Sequence, residues 1–199
     1  MLLPNQLTVA RIILTPFFFY FFLSPVDELK QLSLLIFVIA AITDWYDGWL
    51  ARKFNYITAW GKFMDPLADK ILTSAAFFGF VIIGTLDLWM VLLIVFRDIT
   101  VTGLRGYADY KKVSFVTSKS AKWKTFLQMF FLYYLLLLYA ANSVDWIRSN
   151  YSDLIITLSN YNLIFYSMLF ITLFTLFTGI TYIFTNIIVI KKLFKGRIE

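Results

Sequence analysis

Six stretches of roughly twenty residues, each dominated by apolar side chains, follow one another along this chain and restrict what it can fold into. A run of that length crosses a bilayer core as an α-helix, because a helix satisfies every backbone N–H and C=O within its own segment. The stretches fall at about residues 7–23, 29–50, 63–83, 88–107, 120–140 and 161–190, the last long enough to extend past the bilayer. Turn residues separate them, such as Ser24-Pro25 after the first and Gly84-Thr85 after the third. The expected fold is therefore all-α: a single integral membrane domain over residues 1–199 with six transmembrane helices. With 60% hydrophobic and 15% charged residues, the chain lacks the polar surface that a soluble domain of this size requires.

The net charge of +6 is unevenly placed. Six spans put the N-terminus, the 51–62 and 105–124 segments and the C-terminus on one side. That side holds Arg52, Lys53, Lys62, Arg105, Lys111, Lys112, Lys119, Lys122 and Lys124, with Lys191, Lys192, Lys195 and Arg197. The opposite loops carry Lys30 and Arg148 among Asp27, Glu28, Asp87, Asp145 and Asp153. The positive-inside rule then places both termini in the cytoplasm. On so apolar a background, the charge points to membrane lipids and not to nucleic acid.

Cysteine and histidine are both absent. Thiolate nucleophiles, imidazole bases and zinc sites are thereby excluded, so catalysis must use carboxylates, cations or hydroxyls. A metal would be a hard, oxygen-ligated cation, magnesium or manganese.

The polar residues that stand out are Asp44, Asp47, Asp65 and Asp69. Asp44 and Asp47 are three apart and Asp65 and Asp69 four apart, so each pair shares one face of a helix. The pairs sit at the end of one span and the start of the next, where antiparallel packing can bring them together. Four carboxylates in one small volume repel one another unless cations intervene. Two bridged divalent ions would relieve that repulsion and could clamp a pyrophosphate. A lone aspartate of this kind is more often a surface carboxylate; four at paired helical spacings near membrane depth point to function. Gly48, Ala51 and Gly61 leave room for a ligand or a neighbouring helix.

Residues 44–69 fit, without departure, the pattern D-x2-D-G-x2-A-R-x8-G-x3-D-x3-D. In this the chain resembles the CDP-alcohol phosphatidyltransferase family. The resemblance implies a six-helix fold, usually homodimeric, with a site open to the cytoplasm. It implies Asp44, Asp47 and Asp65 as ligands of one metal ion, and Asp44, Asp65 and Asp69 as ligands of a second. Asp69 would also take the proton from the acceptor hydroxyl, while Gly48, Ala51, Arg52 and Gly61 would line the CDP part of the donor. Asn5 and Thr8 could bond the nucleotide or a phosphate, or N-cap the first helix.

The acceptor alcohol must be read elsewhere. Residues 4–11, 97–105 and 122–129 are similar to the bacterial members of the family that use glycerol 3-phosphate, although Ala121 stands where those commonly have glycine. With the aspartate motif, the resemblance covers most of residues 4–130. Glycerol 3-phosphate is a dianion, and Arg97 and Arg105, eight apart on one helical face, could grip it. Lys119, Lys122 and Lys124 enter the fifth span at the same membrane face. Positive-inside decoration explains Lys111, Lys112, Lys191, Lys192 and Lys195, and a salt bridge to Asp98 competes for Arg97. The expected reaction is displacement at the β-phosphorus of CDP-diacylglycerol, giving phosphatidylglycerophosphate and CMP. Inositol phosphate, serine or phosphatidylglycerol are alternative acceptors. A divalent-cation transporter or a scaffold without chemistry are the rivals from other classes.

Overall fold

The computed structural model describes residues 3–54, 59–111, 113, 115, 116 and 119–194. Among these the regular structure is helical. Helices α1 (Leu3–Phe22), α2 (Asp27–Phe54), α3 (Ala59–Ile82), α4 (Leu88–Tyr110) and α5 (Lys119–Asn142) are long. Two short helices, α6 (Asp145–Asn150) and α7 (Ser152–Leu158), lead to α8 (Tyr161–Thr185) and α9 (Ile187–Phe194).

Three segments combine the length and hydropathy of a membrane span: Asp27–Leu50, Lys119–Asn142 and Ser152–Thr185. They make the chain a membrane protein. Of the other long helices, α1 holds Arg11, α3 holds Asp65, Asp69 and Lys70, and α4 holds Arg97, Asp98 and Arg105 within otherwise apolar runs. The expected sixth stretch, 161–190, is broken at Asn186 into α8 and α9. The cause is the Asn186 side chain, which bonds the Tyr182 carbonyl at 2.9 Å and takes up both the N–H (3.0 Å) and the C=O (3.2 Å) of Val116. One polar side chain thus ends α8 and ties the α4–α5 connection to it.

Helix α1 packs against both α2 and α3, and α8 packs against both α4 and α5. The core is aromatic and aliphatic: Phe18, Phe22, Phe37, Phe77, Phe80, Met90 and Leu132 are buried together. The aromatic run of α1 divides by helical period, with Phe18 and Phe22 wholly buried while Phe17 and Tyr20 face outward. Phe22 meets Phe80 edge-on at 5.0 Å and lies 4.5 Å from Tyr139 between ring centroids. Its insertion requires Gly79, where a Cβ would come within 2.7 Å of the ring. The Tyr139 hydroxyl donates to the Phe22 carbonyl at 2.7 Å, satisfying an acceptor at the end of α1. Helix α3 ends where Gly84 turns to φ +78°, with Thr85 N–H bonding Phe80 O and Gly84 N–H bonding Val81 O. That is a Schellman cap, which favours glycine at the left-handed position. Trp89, Trp146 and Tyr151 are exposed, as membrane-interface residues would be.

Candidate active site

Asp44 and Asp47 lie near the end of α2, and Asp65 and Asp69 in the first turns of α3. The pairs are linked less by α2 and α3 themselves than by α1. Thr8 Oγ1 donates to Asp65 Oδ1 at 2.5 Å, reaching the α3 pair. One turn further along, Arg11 Nη2 donates to Asp47 Oδ2 at 2.7 Å, reaching the α2 pair. Arg11 Nη1 also stands 2.5 Å from Asp44 Oδ1 as an ion pair, outside hydrogen-bond geometry. Arg11 and Thr8 are fully buried and Asp47 nearly so, whereas the Asp44 side chain is 44% exposed. Thr8 lies well inside α1, so its hydroxyl serves a carboxylate and not a helix cap. Asn5 is buried in the same helix.

The charges of Asp65 and Asp69 act on Asp44, and those of Asp44 and Asp65 act on Asp47. Tyr133 of α5 faces the same field, from Asp69 and Asp44. This concentration of negative charge, made only of oxygen donors, suits a hard divalent cation. Among the described residues, no three carboxylates converge as a ready coordination shell. Among the described residues, Arg11 is a buried positive charge set against both Asp44 and Asp47. Gly48 is half-buried and Gly61 buried. Ala51 and Arg52 belong to the backbone of α2, and their side chains lie outside the described residues.

Asp69 opens onto a cavity of about 700 Å³ between α3, α4, α5 and α8. Its charged lining comprises Lys70, Arg97, Arg105 and Lys122, with Asp69, Asp98 and Asp109. Pro66, Ile99, Val101, Phe126 and Met129 supply apolar wall. The structure thus brings Arg97, Arg105 and Lys122 together with Asp69 around one cavity. Lys119 is exposed at the start of α5 and does not occur among the described lining residues. Lys124 is buried and turned to Asp98, with which it makes a short hydrogen-bonded ion pair.

Asp98 is the hub of this wall. Besides Lys124 it holds Arg97 at 3.1 Å and Lys70 at 3.4 Å, and it is only 4% exposed. Three cations thus surround one buried carboxylate, which leaves the cavity wall with positive charge in excess. Arg97 is held further by Thr178 Oγ1 at 3.2 Å, and its stem crosses Gly179 of α8, where a Cβ would lie 2.9 Å away. The salt bridge that competes for Arg97 is therefore present, and the residue still borders the cavity. Arg11, Lys70 and Tyr182 are part of these arrangements although no motif assigns them a role. The only sequence signal for them is a polar group in an otherwise apolar helix face.

Comparison with known proteins identifies the family of the chain. Residues 1–194 match the family described as CDP-alcohol phosphatidyltransferase. The chain is 43% identical over 135 residues to the CDP-diacylglycerol–glycerol-3-phosphate 3-phosphatidyltransferase of Rickettsia typhi, covering 68% of this chain and 76% of that protein. The enzyme of the same name from Bacillus subtilis is 45% identical over 115 residues, covering 52% and 60% of the two chains. That of Salmonella paratyphi A is 40% identical over 140 residues, covering 67% and 76%. A match over residues 1–194, nearly the whole length, makes this chain a member of the CDP-alcohol phosphatidyltransferase family.

Proposed function

We propose that this protein transfers the phosphatidyl group of CDP-diacylglycerol to sn-glycerol 3-phosphate, releasing CMP. The observation that carries this reading is the cavity in which Asp69 faces Lys70, Arg97, Arg105 and Lys122. A dianionic acceptor needs fixed positive charge beside the reacting centre, and this cavity provides it. The names of the bacterial relatives support the same donor and acceptor.

Two divalent cations, magnesium or manganese, would be held by Asp44, Asp47 and Asp65 and by Asp44, Asp65 and Asp69, and would neutralise the donor's pyrophosphate and the departing CMP. The protein's own residues do the rest. Thr8 and Arg11 fix Asp65 and Asp47 in place, so the carboxylates are pre-oriented by buried partners. Asp69 accepts the proton of the acceptor's 1-hydroxyl as its oxygen bonds the β-phosphorus and the bond to CMP breaks. Arg105 and Lys122 hold the acceptor's phosphate; Lys124 contributes through Asp98, and Lys119 only to the approach field. Gly48, Ala51, Arg52 and Gly61 line the CDP moiety, with Asn5 nearby. The acyl chains lie along the apolar outer faces of the helices.

The long α1, α3 and α4 complete six spans with the three apolar segments, in the bacterial inner membrane. The lysine and arginine asymmetry supports cytoplasmic termini and a cytoplasmic site. The family resemblance supports a homodimer.

The test is CMP release by the purified protein with CDP-diacylglycerol and magnesium, comparing glycerol 3-phosphate, inositol phosphate, inositol and serine. Release with glycerol 3-phosphate alone is expected. Release with another acceptor would keep the aspartate site and discard the reading of the basic cavity, while no release with any would discard the chemistry.

A further inference from the structure

Helix α8 lies outside the segments whose motifs point to function, yet it supplies one wall of the cavity. Tyr182 of α8 lines that cavity and is 3% exposed. Its hydroxyl is buried beside the Arg105 guanidinium, which can only donate, and among the described residues no group accepts the hydroxyl proton. Buried hydroxyls are nearly always satisfied, and one left open costs stability unless something arrives to bond it. The ring is not free to swing away, because Phe115 packs edge-on against it at 5.7 Å. Phe115 itself belongs to the α4–α5 connection that Asn186 ties down through Val116. The hydroxyl is thus pre-placed and open within the cavity.

Its surroundings say which part of a ligand it would meet. Arg97 donates to Thr178, one turn before Tyr182 on α8, and Arg105 lines the same cavity as Tyr182. The reacting hydroxyl of the acceptor must lie at Asp69, whereas Tyr182 stands with Arg97 and Arg105, where negative charge is favoured. A neighbouring guanidinium attracts the hydroxyl oxygen and repels its proton, which turns the O–H toward an anion in the cavity.

We propose that the Tyr182 hydroxyl donates a hydrogen bond to the phosphomonoester of the acceptor and so helps this cavity select a phosphorylated alcohol over an unphosphorylated one. This rests on the reading of the cavity as the acceptor site. A hydrogen bond from a buried donor to a charged oxygen is made only by an acceptor that carries the phosphate, so its loss falls on acceptor binding and not on donor binding.

The experiment is Tyr182→Phe in the full-length purified protein, with CMP release measured while each substrate is varied. The expected result is a KM for glycerol 3-phosphate raised about 10- to 100-fold, with the KM for CDP-diacylglycerol and kcat within about threefold of wild type. Thermal unfolding supplies a second readout without turnover. The ligand-free variant should melt close to wild type, because the hydroxyl proton has no acceptor among the described residues to lose. Glycerol 3-phosphate should stabilise the variant only at correspondingly higher concentration. An unchanged acceptor KM, with wild-type protection by glycerol 3-phosphate, would overturn the role of Tyr182 while leaving the cavity's function standing. A wild-type protein that releases no CMP with glycerol 3-phosphate would instead bring down the acceptor reading and this inference with it.

Discussion

Arg11 of α1 donates to Asp47 of α2 at 2.7 Å, and both side chains are almost fully removed from solvent. A guanidinium with no exposed surface is costly to bury, and among the described residues its carboxylate partners, Asp47 and Asp44, offset that cost. The same residue therefore joins α1 to α2 and sets the position of two motif aspartates. Arg11→Met should lower thermal stability, by about 3–5 kcal/mol if Asp47 is left buried and charged. Unfolding of the purified protein followed by circular dichroism measures this. A melting temperature within error of wild type would show that Asp47 does not depend on Arg11.

Asp44 is partly exposed and Asp65 has a single described hydrogen bond, to Thr8, so neither is a main prop of the fold. Asp65→Asn should leave melting nearly unchanged, and Asp44→Asn should lower it by less than Arg11→Met does, because Arg11 keeps Asp47. Each should nevertheless reduce CMP release by roughly 10³-fold or more, since each removes a shared carboxylate from a site built for hard cations. Wild-type turnover in either variant would dismiss the assignment of those aspartates as metal ligands.

How far such a site can be read from sequence depends on how local its parts are. Asp44 with Asp47, and Asp65 with Asp69, are legible because a helix converts spacing directly into a shared face. The turn at Gly84 is legible for the same reason, since its cap is written in adjacent residues. Thr8 and Arg11 are visible as polar groups, but their partners lie 57 and 36 residues away, and no periodicity encodes that pairing. Lys124 reads as a phosphate ligand from its position, and its pairing with Asp98, 26 residues earlier, is not written in any local spacing. The end of α8 at Asn186 is hidden within continuous hydropathy, and only the contact with Val116 reveals it. Helices α6 and α7 fall in a stretch too short and mixed for a period to emerge.

The tie between Asn186 and Val116 is itself testable. It satisfies both polar groups of one backbone unit in the α4–α5 connection and seats Phe115 against Tyr182. Asn186→Ala removes these bonds and leaves the Val116 N–H and C=O to find others, at a cost of about 1–3 kcal/mol. Hydrogen exchange at Val116 should accelerate, whereas exchange in the core around Phe80 should not. Unchanged protection at Val116 would mean that Phe115 packing alone holds the connection.

Around Asp98 the charges are unequal, and so should be the effects of removing them. One carboxylate serves Lys70, Arg97 and Lys124, all within 3.4 Å of it. Asp98→Asn leaves three neighbouring cations with no common counter-charge, two of them largely buried, and should destabilise the protein by about 3–5 kcal/mol. Lys124→Met removes one cation of three, and Asp98 keeps the other two, so its cost should be clearly smaller. The double variant should fall well short of the sum of the two single effects, because Lys124 is no longer buried opposite a missing partner. Melting temperatures of the three variants, measured under one set of conditions, decide the matter. Equal losses for Asp98→Asn and Lys124→Met, with additive behaviour in the double variant, would mean that Lys124 and Asp98 are not coupled and that Asp98 does not organise this wall of the cavity.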